Sequence, residues 1–134
     1  MYYNQLFIVD DNTTTVDITS LMLSRLLPNA KTVGYSDGSL LLEHIITDHS
    51  LLSEPTLVIL DINMPGATGF EVLDDLENRF ENLDNLHVIM MTASNMAKDR
   101  ELAQRYPCIK QFVEKPLRLS SLANFISEEY YPAA

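Results

Sequence analysis

Short apolar runs alternate along this chain with longer stretches in which apolar residues recur every three or four positions. The runs cover residues 5–10, 30–35, 56–61, 86–92 and 109–114. Each has the length of a strand. Leu57, Val58, Ile59 and Leu60 form an unbroken aliphatic stretch, which suits a strand covered on both faces. The stretches between have helical spacing. The first spans about 14–27 and stops at Pro28, and the second spans 37–49 with Leu40, Leu41, His44 and Ile45 near one face. Phe70, Leu73, Leu76 and Phe80 mark a third. A short, strongly charged fourth covers 97–106 and ends at Pro107, and Leu119, Leu122, Ala123 and Ile126 mark the last. Five strand–helix units predict an α/β fold, a parallel sheet with helices on both faces. A closed eight-unit barrel would need about twice the length. The expected architecture is an open five-stranded sheet in the order 2-1-3-4-5.

That order makes the strand ends interesting. Strands 1 and 3 become neighbours where open α/β sheets bind ligands, outside their carboxyl ends. Strand 1 runs into Asp10 and Asp11, strand 3 into Asp61, strand 4 into Thr92, and strand 5 ends just before Lys115. All should meet at one edge. Two carboxylates about 5 Å apart repel by about 3 kcal/mol at an effective dielectric near 20. A divalent, oxygen-seeking cation would offset this, and Mg²⁺ takes one or two carboxylates while keeping several waters. The expectation is that Asp11 and Asp61 ligate it directly and Asp10 acts through water. The backbone carbonyl of Asn63 would complete the protein ligands. Lys115 can pair with Asp61 at rest and with an anionic ligand afterwards. Each residue also has an ordinary reading. Asp10-Asp11-Asn12 suits a turn leading into a helix cap. Thr92 suits a strand end, Lys115 an exposed surface, and Phe112 a plain core aromatic.

Bulk properties narrow the partners. The chain has 134 residues, enough for one domain, and 46% are hydrophobic, so it can build a core. With 19 acidic and 9 basic residues the net charge is −10. That balance disfavours direct contact with nucleic acid or an anionic membrane surface. Cys108 is the single cysteine, so no internal disulfide forms. The start lacks a basic, signal-like apolar segment, and no stretch approaches a membrane span, so a cytoplasmic location is expected.

Four segments carry a family resemblance: FIVDDN at 7–12, LVILDINMPGATGFEVL at 57–73, VIMMTAS at 88–94 and FVEKPL at 112–117. Together they make the chain resemble, over essentially its whole length, the receiver domain of two-component response regulators. The resemblance implies a flavodoxin-like (βα)5 fold. It also implies a signalling switch rather than an enzyme, its only chemistry being the phosphorylation and dephosphorylation of its own Asp61. Asp61 would be the phosphoacceptor, supplied by a sensor histidine kinase or a histidine phosphotransfer protein. Asp10 and Asp11 would hold Mg²⁺, with Mn²⁺ as a substitute. Thr92 and Lys115 would contact the phosphoryl oxygens, and Phe112 would turn inward as Thr92 moves. Asn63 and Ser94 would tune phosphoryl lifetime. The Lys115–Pro116 bond is similar to one that receivers often hold in cis.

The chain departs from the family pattern in places. Thr68 stands where Asp is frequent before Gly69, and Cys108 and Ile109 stand where Gly-Ala is frequent. Phe112 has no hydroxyl, so its preference for one position is a matter of packing. The single domain, 1–134, is expected to lack an output domain. It would signal to an effector through the surface of the fourth helix, fifth strand and fifth helix, as a monomer or weak dimer. The alternatives are a phosphorelay or phosphate-sink receiver and a phosphatase similar to the haloacid dehalogenases. The phosphatase pattern wants a second Asp two residues after the nucleophile, where Asn63 stands.

Overall fold

Five parallel strands form one sheet in the order β2-β1-β3-β4-β5 in the computed structural model, which describes residues 3–93 and 97–130. They are β1 (Gln5–Val9), β2 (Lys31–Tyr35), β3 (Thr56–Asp61), β4 (Leu86–Thr92) and β5 (Ile109–Glu114). The helices are α1 (Thr13–Leu26), α2 (Gly38–Thr47), α3 (Gly69–Arg79), α4 (Ala97–Ala103) and α5 (Leu119–Tyr130). This is the flavodoxin-like arrangement that the alternation implied.

Side-chain alternation along the central strands splits the core into two layers. Phe7, Val9, Val58, Leu60, Val88 and Met90 face one way and pack with Leu41, Ile45, Leu73 and Leu76 of α2 and α3. Leu6, Ile8, Leu57, Ile59, Ile89 and Met91 face the other way and pack with Leu23 of α1 and Leu122, Phe125 and Ile126 of α5. All six residues of β3 are buried, as a strand between two others and under two helical layers must be. Each large aliphatic side chain so enclosed contributes about 1.5–3 kcal/mol of transfer free energy.

Local chemistry sets the boundaries. The side chain of Asn12 accepts from Thr15 N–H and starts α1. Asp37, expected inside the second helix, instead caps α2 by accepting from Ser39 N–H. Its competition for backbone donors makes it a better cap than helix residue. The second stretch also ends early, because α2 stops at Thr47 and a separate 3-10 turn, His49–Ser53, follows. The buried stripe of α2 is Leu41, Leu42 and Ile45, while Leu40, expected near that face, is 44% exposed. Thr68 forms a reciprocal capping box with Glu71, so the departure from Asp leaves the start of α3 intact.

The fourth helix is shorter than its pattern suggested. It ends at Ala103, and Gln104, Arg105 and Tyr106 donate to carbonyls three residues back. The tighter winding turns Tyr106 inward: its ring stacks on Phe70 at 5.5 Å and its hydroxyl donates to Asp74 at 2.6 Å. Phe80, expected on the α3 stripe, lies just past the helix and is half-buried, and Leu119 is 39% exposed at the first turn of α5. One irregularity bears on the site. The β4–β5 register shifts between Val88 and Ile89, so Val88 pairs with Ile109 but Ile89 with Gln111. The extra residue in β5 brings Phe112 beside Met90.

Candidate functional site

The carboxyl ends of β1 and β3 lie side by side, because Val9 pairs with Leu60. Asp10 and Asp61 extend from these positions and are buried, with 0% and 3% exposure. Asp11 follows on the exposed rim. Carboxylate oxygens from Asp10, Asp11 and Asp61 lie within 4.8 Å of one another. The expected convergence of the acids is therefore present.

Both readings of the Asp10-Asp11-Asn12 stretch hold at once. Asp10 Oδ1 accepts from Asn12 N–H at 2.9 Å, forming a turn, and Asn12 caps α1. This local bond orients the carboxyl group and leaves its second oxygen facing the site. Asp61 Oδ1 accepts from Asn63 N–H at 3.3 Å, a similar arrangement at the end of β3.

Lys115 enters from the end of β5. Its backbone N–H donates to Thr92 carbonyl at 2.7 Å, and the Lys115–Pro116 bond is cis. Its Nζ lies 2.7 Å from Asp10 Oδ2 and 3.2 Å from Asp61 Oδ2. The expected pairing with Asp61 is present, and the ammonium also reaches Asp10, to which it sits closer. Both acids are buried charges that need a counter-ion, and one ammonium placed between them serves both. Lys115 is thus not a surface lysine, with its side chain only 23% exposed.

Charge and burial perturb two of these groups. Burial raises the Asp61 pKa above the usual carboxylate value and the neighbouring Asp10 raises it further; Lys115 and the Asn63 N–H only partly oppose this. Burial alone would lower the pKa of Lys115, but its contacts with Asp10 and Asp61 outweigh that and raise it.

The donor set fits a hard divalent cation. It consists of oxygens, one carboxylate is open to solvent, and Asp10 Oδ2 is buried with no directed hydrogen bond among the described residues. The 2.7 Å approach of Lys115 to that oxygen is therefore an ion pair rather than an aligned hydrogen bond. Asp11 is the exposed carboxylate of the three, and Asn63 is exposed beside the end of β3.

Two other expected site residues lie on β4 and β5. Thr92 ends β4 fully buried, paired in register with Glu114 of β5. Phe112 lies on the same sheet face, half-buried against the α2–α3 core layer. Ser94 lies outside the described residues. Cys108 is buried and its thiol is pushed up to about 11 chiefly by burial, as expected of an inert core cysteine. His44, His49 and His87 contact the rings of Tyr35, Phe80 and Tyr3 rather than the acids.

Sequence reasoning missed two contacts. The Arg100 guanidinium of α4 lies over the Phe112 ring, 5.0 Å from its centroid. No spacing rule joins a helix residue to a strand residue twelve positions later. Gly69, recognised as part of the motif, also has a physical reason to be Gly. Its N–H donates to Ile62 carbonyl at 2.8 Å, and a Cβ there would lie 2.6 Å from the carbonyl oxygen of Asp61. The start of α3 packs directly on the peptide that carries the candidate acceptor.

The model of the response regulator receiver domain matches residues 6–127. Stress response regulator protein 1 of Clavispora lusitaniae is 32% identical over 98 residues, 73% of this chain and 49% of that protein. Chemotaxis protein CheV1 of Helicobacter pylori is 31% identical over 71 residues, 53% of this chain and 22% of that protein. The matched part of the chain spans half or less of these curated relatives. In fold the chain is similar to a two-component response regulator from Cytophaga hutchinsonii, with a TM-score of 0.84, 19% identity and coverage of 96% and 97% of the two chains. It is similar also to CheY4 of Vibrio cholerae, with a TM-score of 0.73, 17% identity and coverage of 95% and 98%. The family acts as a phosphorylation-dependent switch in two-component signalling and not as a classical enzyme, which displaces the phosphatase alternative. No helix among the described residues is long and apolar enough to cross a membrane. With its model matched from the first strand to the last helix, the chain belongs to the response regulator receiver domain family.

Proposed function

We propose that residues 1–134 form a receiver unit in which Asp61 accepts a phosphoryl group from a phosphohistidine and relays the event by protein contact. The observation that carries this reading is the bridging of Asp10 and Asp61 by Lys115 at 2.7 and 3.2 Å, beside a third carboxylate. A carboxylate nucleophile, a fixed cation and an acidic metal site then share one small volume.

In the transfer, an Asp61 oxygen forms a bond to phosphorus as the phosphorus–nitrogen bond of the donor breaks. The electron pair of that bond returns to the imidazole. Catalysis of such a transfer is mostly positioning and neutralisation of charge on the phosphoryl oxygens. Lys115 is already held at Asp61 and needs only a small movement to meet a phosphoryl oxygen. The Thr92 hydroxyl is the hydrogen-bond donor proposed for another. Asp11, Asp61 and the Asn63 carbonyl would hold Mg²⁺, with Asp10 acting through water. Bound there, the metal supplies charge neutralisation to acids and phosphoryl group alike. Water later attacks the acyl phosphate, releasing inorganic phosphate and restoring the carboxylate, at a rate that Asn63 and Ser94 would tune.

The product carries about two negative charges and strong acceptor oxygens. Thr92 drawn toward them leaves room for Phe112, and the surface of α4, β5 and α5 changes with it. That surface is the proposed contact for an effector, or for a second copy in a weak dimer. Incubation with acetyl phosphate and Mg²⁺ followed by intact-mass measurement tests the core of this reading. One added phosphoryl group is expected on the wild type and none on Asp61→Asn; equal labelling of both would remove Asp61 from the role of acceptor.

A further inference from the structure

Phe112 and Arg100 come from different elements and meet outside the cluster of acids. Phe112 pairs in register with Met90, and Thr92 pairs with Glu114 two positions on, so alternation puts Phe112 and Thr92 on one face of the sheet. Phe112 packs against the core layer on that face. The Arg100 guanidinium lies over its ring at 5.0 Å, within the range where the ring quadrupole attracts a cation. Arg100 is itself exposed on α4. The pair therefore joins a strand residue near the phosphorylation site to the helix on the proposed signalling surface.

From this contact we infer that Arg100 is a positioning residue for the switch, holding the Phe112 ring in its resting place and biasing the unit against the activated arrangement. The inference rests on the proposed function, because it assumes that Phe112 moves when Asp61 is phosphorylated. The physical argument is one of differential contact. A group shifts a two-state equilibrium only by the difference in its interaction with the two states. If the ring withdraws toward Thr92 while α4 stays at the surface, the cation loses the ring face. The resting state alone then has the attraction. For an exposed pair its strength corresponds to about a two- to fivefold bias. Lysine at position 100 keeps a cation on a flexible stem and preserves much of the bias, whereas glutamine removes it.

The test measures the initial rate of acetyl phosphate labelling in Mg²⁺ on the full chain. With the activated arrangement taken as the one that accepts the phosphoryl group faster, Arg100→Gln is expected to label about two- to fivefold faster than wild type. Arg100→Lys should stay near wild type, and Lys98→Gln, with the same change in net charge on the same helix, should be unchanged. In a Phe112→Leu background, Arg100→Gln should have no further effect, because the ring it acts through is gone. Labelled wild type with an unaltered Arg100→Gln rate would overturn the assignment of Arg100 while leaving Asp61 as acceptor. Acceleration that persists in the Phe112→Leu background would also overturn it, by showing that Arg100 acts through other contacts. No Asp61-dependent labelling of wild type would overturn the proposed function and this inference with it. Fluorine resonance of 4-fluorophenylalanine at position 112 gives a second reading that needs no phosphorylation. It should shift on Arg100→Gln and not on Lys98→Gln; an unmoved resonance overturns the contact itself.

Discussion

Gly69→Ala is a one-methyl change with a large expected effect. The added Cβ would stand 2.6 Å from the carbonyl oxygen of Asp61, 3.2 Å from Ile62 Cα and 3.2 Å from Met90 Sδ. The methionine can yield, but the first two are backbone atoms at the end of a strand held between β1 and β4. Relief requires α3 to retreat, weakening the 2.8 Å bond from Gly69 N–H to Ile62, or the Asp61 peptide to tilt. Inserting a methyl group into a closely packed site costs about 1–3 kcal/mol. With an unfolding entropy of about 2.1 cal/mol/K per residue, 1 kcal/mol moves the midpoint of a chain this long by about 3–4 °C. The expected loss is thus about 4–11 °C in thermal melting. Gly34→Ala is the control: its Cβ would meet a methyl of the half-buried Val16 side chain at 2.6 Å, on an edge strand and with no backbone atom in the way. It should cost less than Gly69→Ala, because a side chain yields more readily than backbone. Tilting the Asp61 peptide should also slow acetyl phosphate labelling of Gly69→Ala on the order of tenfold, since small misplacements of a nucleophile are costly. A melting temperature within about 1 °C of wild type, with normal labelling, would show that the packing of α3 on Asp61 is looser than the structure has it.

Further predictions concern the charges and one buried contact. Asp61→Asn should raise the melting temperature in chelator, because it removes a buried carboxylate repelled by Asp10. The Asp61 pKa is raised by folding, so its favourable contribution is present below the unfolded value and is lost as pH rises through the folded one. The stability advantage of Asp61→Asn should accordingly open as pH climbs through that acidic window; an advantage that shrinks there would contradict the direction of the shift. Mg²⁺ should raise the melting temperature of wild type more than that of Asp61→Asn or Asp11→Asn, and equal shifts would place the ion elsewhere. Lys115→Met should cost about 2–4 kcal/mol in chelator, somewhat under the usual loss for a fully buried partner because 23% of the side chain is exposed. The raised pKa of Lys115 keeps this contribution in place at neutral pH and lets it fall only when pH rises past the ordinary lysine value, so a urea series at neutral and strongly alkaline pH checks it. Tyr106→Phe should lose about 1 kcal/mol through its bond to Asp74, and Asp74→Asn in the same background should add little; a full additive loss would separate the two residues.

Much of this molecule is written in local patterns. Apolar runs such as 57–60 can only be buried strands once flanked by helical spacing, and strict alternation of five such units leaves few topologies. Placing Asp10, Asp11, Asp61, Thr92 and Lys115 after the strands then brings them to one edge, so the site was legible from strand ends and order together. The capping role of Thr68 also follows from its type and the Glu71 three residues on. The tertiary structure decided what depends on relative depth and on contacts between distant segments. The phase of α2, with Leu42 in and Leu40 out, was set by the surface it packs on, because adjacent leucines look alike to a periodic pattern. Tyr106 left its helix to bind Phe70 and Asp74. Lys115 divided itself between two acids because both proved to be buried charges, and Arg100 reached Phe112 across a helix-to-strand step that no spacing encodes. Local sequence settles which elements form and in what order. Which side chain meets which is settled by three-dimensional packing, where burial determines how strongly each charge needs a partner.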